Sequence, residues 1–185
     1  MALHGSERVE TYLRWVDGIA RATDAAHLVF SEGGRPPIAA VTYVDRPWPG
    51  WTLGFTYGAS LCAPANVELV TVVRSRSPRW TWAIADLVDR QRDHLHELGI
   101  DDTIDWRQPI AEDSEMNAFV IAPPISLDPT QRVAHLSDDD HVHLLQAIPV
   151  HAAELSLVRE LGSEELVARL GEDLLDPSRP PLTPR

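Results

Sequence analysis

The segment Val67-Glu-Leu-Val-Thr-Val-Val-Arg74 constrains the fold most. It is rich in branched residues and nearly apolar on both faces, which places it at the centre of a sheet. Two other stretches supply neighbours for it. Ile38 to Val44 is branched and is broken by Arg46-Pro47-Trp48-Pro49-Gly50. Trp51 to Tyr57 alternates, with Trp51, Leu53, Phe55 and Tyr57 on one face and Thr52, Gly54 and Thr56 on the other, until Gly58 ends it.

Helices flank this block. Val9, Tyr12, Leu13, Val16 and Ile19 recur at three- and four-residue steps, which predicts a helix from about Ser6 to Ala22. Past Asp24, His27 to Phe30 is a short apolar patch, and Ser31 to Pro37 reads as a loop from its glycines and prolines. Ser77-Pro78 is a favourable helix start, and Gly99 a stop. The helix between them runs to about Leu98, with Trp80, Ile84, Leu87, Val88, Leu95 and Leu98 on one side.

Further on come a short segment at Thr103 to Trp106, a strand from Asn117 to Ala122, and a loop over 125–140 ending in Asp138-Asp139-Asp140. A last strand at His141 to Ile148 precedes two helices near Ala152 to Leu161 and Glu164 to Leu170. The order α-β-β-β-α-β-β-α-α lacks strict β-α alternation, so an α+β fold is expected, with a mixed, largely antiparallel central sheet packed with helices. One domain over residues 1–175 and a proline-rich, extended and mobile tail over 176–185 complete the reading.

Composition narrows the function. The chain of 185 residues has 16 basic residues, all of them arginine, so a phosphate-loop lysine and a Schiff-base lysine are both excluded. The net charge of −12 is uneven: residues 1–100 hold 10 arginines against 11 acids, and residues 101–185 hold 6 against 17. An acidic half repels phosphate backbones, so nucleic acid is not an expected partner. It serves equally as a solubilising surface or as one that steers a basic partner. No apolar run is long enough to span a membrane, no signal peptide is evident at the N-terminus, and a single cysteine, Cys62, forms no internal disulfide, so a cytoplasmic setting is expected.

No motif supports catalysis. His94 and His96 sit two apart on a predicted helix and point away from each other. His96-Glu97 is not part of a zinc-protease motif, Ser60 lies outside a nucleophile elbow, and Cys62 has no base nearby in sequence. His141 and His143 share a strand face next to three aspartates, so Asp138, Asp140, His141 and His143 are the one set that could hold a divalent ion; an acidic rim accounts for them as well. We assign no catalytic, cofactor or metal site, and no cofactor. For partner binding, Trp48 and Trp51 flank a turn where an aromatic can act as an anchor, and Asp138, Asp139 and Asp140 offer charge. Nothing in the sequence specifies an oligomeric state.

Trp51-Thr-Leu-Gly-Phe-Thr-Tyr57-Gly58-Ala59-Ser60, followed by Val67-Glu68-Leu69-Val70, resembles the signature of suppressor of fused domains. Met116 to Pro124 and Leu144-Leu145-Gln146 to Val150, with Glu154-Leu155, are similar to later family segments in the same order, and the match spans about residues 38 to 175. Ala59 stands where leucine is common, and Asp101-Asp102 where a glycine usually precedes Asp or His. The resemblance implies an α+β domain that binds another protein. The animal protein uses a second lobe to clamp a peptide, and 185 residues leave no room for that lobe. A short bacterial member is expected to act as an immunity protein that occludes a toxin, possible basic toxins being nucleases. The alternatives are a small metal-dependent hydrolase centred on Asp138 to His143 and a non-catalytic scaffolding module.

Overall fold

The computed structural model describes residues 5–22, 27–30, 36–62 and 66–182. Helix α1 (Gly5–Ala20) precedes the strands β1 (His27–Phe30), β2 (Ala39–Val44), β3 (Thr52–Tyr57) and β4 (Val67–Val73). Helix α2 (Arg79–Arg90) leads to β5 (Thr103–Asp105), β6 (Ala118–Ala122), β7 (Val133–Ser137) and β8 (Asp140–Val150), and α3 (Leu155–Leu161) and α4 (Ser163–Leu170) follow. The strands form one sheet in the order β1-β2-β3-β4-β8-β6-β5, with β7 also paired to β8. Every pairing is antiparallel except β4 with β8, whose register runs from Val67↔His143 to Val70↔Gln146. The expected α+β architecture is therefore present, and Val67–Val73 is central in the sheet.

Strand β8 organises the second half. Its first residues pair with β7 (Val133↔His143) and its last with β6 (Ala122↔Gln146, Ala118↔Val150), while β4 takes the opposite edge. Helices cover both faces. On one, α2 packs Trp80, Ile84, Leu87 and Val88 against Leu69, Val73, Phe119 and Ile121. On the other, α1 buries Tyr12 and Val16 against Val41, Phe55 and Val70, while α3 and α4 cover Val120, Ile148 and Val150. Full burial of a side chain the size of Val16 or Leu87 contributes about 1.5–3 kcal/mol. Both faces of β3 are thus buried, and Thr52, Gly54 and Thr56 lie on the α2 side. A Cβ at Gly54 would stand 2.0 Å from Thr81 Oγ1, so the helix approaches as closely as it does because this residue has no side chain.

The structure departs from the sequence expectations in several places. The helix begun at Arg79 ends at Arg90 rather than near Leu98, and three-residue turns follow through His94 N→Gln91 O and Glu97 N→His94 O. Arg92 turns back to Asp89 and to Cys62 Sγ, and the tighter winding returns Leu95 to the core. His94 and His96 are therefore not on the α-helix. The loop expected over 125–140 contains β7, because Ala134 and Leu136 alternate inward between His135 and Ser137. The three aspartates become the end of a β7–β8 hairpin, and β8 runs two residues beyond the expected Ile148. The loop expected at Ser31–Pro37 lies outside the described residues up to residue 35.

The described part of the tail, residues 176–182, is also not free-standing as the prolines suggested. Arg179 is buried and ion-paired with Glu154 (Nη1–Oε1 2.5 Å, Nη2–Oε2 2.7 Å), Leu182 N donates to the same carboxylate, and the Arg179 carbonyl meets the His151 ring. A buried carboxylate on the chain just before α3 needs such a partner, and the returning segment brings the Arg179 guanidinium to it.

Candidate functional site

The signature residues build a buried polar cradle. Glu68 is fully buried on β4, an acid in an otherwise apolar strand. Its Oε1 accepts from Gly58 N (2.8 Å), Ser60 N (3.0 Å) and Ser60 Oγ (2.7 Å). Its Oε2 accepts from Thr56 Oγ1 (2.7 Å) and Ala59 N (3.3 Å). The short 3₁₀ turn after β3 thus closes around one carboxylate, and Gly58, at φ +117°, supplies the left-handed residue that lets it turn. Burial pushes the Glu68 carboxyl up from the ordinary range, against the pull of the Thr56, Ser60 and Gly58 donors.

Arg8 of α1 ties this cradle to the hairpin. Its Nη1 donates to Ser60 Oγ (3.1 Å) and Tyr57 Oη (3.3 Å), and its Nε to Asp140 Oδ2 (2.8 Å). Ser60 therefore both donates and accepts within the network, so its hydroxyl is engaged on both sides. Burial pushes the Cys62 thiol up, with Arg92 opposing. Its Sγ donates to Gly58 O.

The residues singled out in the sequence fall in two places. Asp138, Asp139, Asp140, His141 and His143 all sit at the β7–β8 hairpin. Asp138 and Asp139 are exposed in the turn, but Asp140 is held by Arg8, which withdraws it from the candidate metal set. His143 is exposed opposite Val133, and His141 faces His135, a residue the sequence reading passed over. Among the described residues no three His, Cys, Asp or Glu side chains gather as a metal site. Trp48 and Trp51 lie together in the β2–β3 turn, packed edge to face with ring centres 5.0 Å apart; Trp48 is 55% exposed, and Arg74 stands over the Trp51 ring. Cavities of about 390 Å³ and about 380 Å³ both border Trp48.

A third place was not foreseen. Strand β1 forms one end of the sheet and pairs only with β2 among the described residues. Leu28, Val29 and Phe30 are 44%, 38% and 57% exposed there. Val29 and Phe30 border a groove of about 580 Å³ that Trp82, Trp106, Pro109 and Ile110 also line. The sequence signal was the apolar patch at His27–Phe30, but nothing local in it says that the strand lies at an edge.

An eight-stranded mixed sheet with helices on both faces, a turn closed round a buried glutamate and, among the described residues, an apolar outer edge at β1 define a class of α+β domain. The sequence matches the suppressor of fused protein (SUFU) family over residues 34–180, and the chain belongs to that family. No curated protein matches it. Among solved structures it is similar to a suppressor-of-fused homolog from Neisseria gonorrhoeae, with TM-score 0.78 and 16% identity over 98% of this chain and 100% of that one. A chain of the Sufu–Fu complex gives 0.68 and 14% over 92% and 90%. Drosophila Suppressor of Fused gives 0.71 and 12% over 97% of this chain but 53% of its own length. At these identities the likeness is one of fold. No helix among the described residues is long and apolar enough to cross a membrane.

Proposed function

We propose that the chain acts without catalysis by binding another protein, and that the exposed edge of β1 receives it. An extended segment of the partner would add a strand beside His27–Phe30, with main-chain hydrogen bonds supplying affinity and the neighbouring groove taking its side chains. The observation that carries this is the edge itself: three large apolar side chains, exposed, on a strand that pairs only with β2 among the described residues, beside a groove of about 580 Å³. Edge strands of this kind are normally shielded because they invite pairing. A solved structure of suppressor of fused in complex with Fu supports protein binding as a use of this fold. The engaged Ser60 hydroxyl, the Cys62 thiol pushed up by burial and the Arg8-bound Asp140 support a role without catalysis.

The specific role we infer is that of a bacterial immunity-type protein, working in the cytoplasm and neutralising a toxin by steric occlusion. The net charge of −12 favours a basic partner. The test is co-purification with the product of a neighbouring toxin gene, followed by Leu28→Asp and Phe30→Asp. Both side chains are exposed, so the fold should be retained while the complex is lost. If the double variant binds and protects as the parent does, the edge is not the interface. If deletion of the gene leaves cells as resistant to the toxin as before, the immunity role fails.

A further inference from the structure

We propose that His135 and His141 form a binding site for zinc or a similar late transition ion at the β7–β8 hairpin. The two residues are directly opposed across the strands, and their Nδ1 atoms lie 3.2 Å apart. Two nitrogens bound to one tetrahedral zinc at the usual bond length stand about 3.3 Å apart, so the spacing already fits. A straight hydrogen bond between the two nitrogens would hold the ring centres about 5.5 Å apart, given ordinary ring dimensions. The centres are 4.6 Å apart at an interplanar angle of 69°, so the rings are bent away from that straight arrangement.

The hairpin fixes this arrangement from behind. Ala134, Leu136 and Val142 are buried on its inner face, and Asp140 is anchored by Arg8. The ligands therefore project from a fixed pair of strands rather than from a loop, which limits the entropy lost on binding. Asp138 is exposed in the adjoining turn and adds a negative charge near the pair. Imidazole nitrogen selects zinc, copper or nickel over magnesium and calcium, which require oxygen ligands. Two protein ligands leave the remaining positions to water or to an incoming side chain. This inference stands apart from the proposed edge-strand interface, since it uses the β7–β8 hairpin rather than β1 and needs no partner.

The test is a titration of the full chain with zinc chloride in chelator-free buffer, read by calorimetry and by the histidine side-chain resonances in NMR. The expected result is saturable binding of one ion per chain, with shifts centred on His135 and His141 and reversed by a chelator. His135→Ala and His141→Ala should each weaken binding by at least about tenfold, as loss of metal-site residues does, while His94→Ala leaves it unchanged. The proposal is overturned if no saturable binding occurs, if the shifts centre on His94 and His96, or if either hairpin variant binds as the parent does. The resonance assignment in the unsubstituted protein decides the matter even if a variant folds poorly.

Discussion

Removal of the Glu68 carboxylate should be among the most damaging single changes in this protein. Glu68→Ala leaves the Gly58 and Ser60 N–H groups, now bonded at 2.8 and 3.0 Å, without an acceptor, and weakens the hold on Ala59 N at 3.3 Å. The Thr56 and Ser60 hydroxyls can rotate toward other partners; the backbone donors cannot. Each orphaned buried donor costs about 1–3 kcal/mol, partly offset because a desolvated carboxylate is also removed, so a loss of about 3–5 kcal/mol is expected. For a domain of this size that lowers the melting temperature by roughly 10 °C. Glu68→Gln should cost less than half as much, since its oxygen still serves Gly58 and Ser60 while its amide meets only the Thr56 hydroxyl and Ala59 N.

The assay is urea unfolding followed by tryptophan fluorescence, repeated across pH. Because burial raises the folded-state carboxyl of Glu68 above its unfolded value, the folded protein holds that proton more tightly. Its contribution is fully present below the unfolded value of about 4.5 and is lost as pH rises through the folded one. The parent should therefore gain stability relative to Glu68→Gln as the pH falls through that window. A Glu68→Ala variant within about 1 kcal/mol of the parent would refute the account of a carboxylate holding the turn, and a parent-to-Gln difference that moves the other way with pH would refute the reading that burial outweighs the donors.

Three further outcomes are expected. Arg179→Ala strands the buried Glu154 carboxylate and should cost about 3–5 kcal/mol in urea unfolding. Glu154 is held below its usual range because the Arg179, Leu182 and His151 donors outweigh its burial, so its contribution is present above the unfolded value and is lost as pH falls through the folded one; the difference from Arg179→Ala should shrink in acid. Gly54→Ala forces a methyl against Thr81 and should cost about 1–3 kcal/mol, seen as a lower melting temperature with the α2 helix displaced in a crystal structure. Arg8→Ala unties α1 from Tyr57, Ser60 and Asp140 and should cost about 1–3 kcal/mol, with amide exchange rising in the hairpin as well as in α1.

Local pattern carried much of the fold. The two-sided apolar run at Val67–Val73 announced a central strand, and the helical spacing of Tyr12 and Val16 announced the face that α1 buries. What pattern missed depended on distant partners. Strand β7 is five residues with small Ala134 and polar His135 and Ser137, so only its pairing with β8 makes it a strand. The end of α2 is set by Arg92 reaching Asp89 and Cys62, and the tail is held by an ion pair spanning residues 154 and 179. The candidate residues show the same division. Asp140 has ligand chemistry in sequence, yet its charge belongs to Arg8, 132 positions earlier. Glu68 lies within the signature segment, and an acid inside a largely apolar strand is the available sign that it has a buried task. The exposed edge at Leu28–Phe30 could not be seen at all, because strand order across a sheet is a property of the whole chain.

The shared pairing of β8 has a consequence for how the molecule is made. Strands β1 to β4 follow one another as antiparallel neighbours and can assemble as soon as they leave the ribosome. The later strands β5, β6 and β7 reach that meander only through residues 140–150, so until these emerge the inner margin of Val67–Val73 has no mate. Such long-range, partly parallel closure is slow and leaves sticky intermediates. Newly synthesised chains should therefore be most prone to self-association in the interval before β8 docks, and truncation before residue 140 should yield aggregates rather than a smaller native domain.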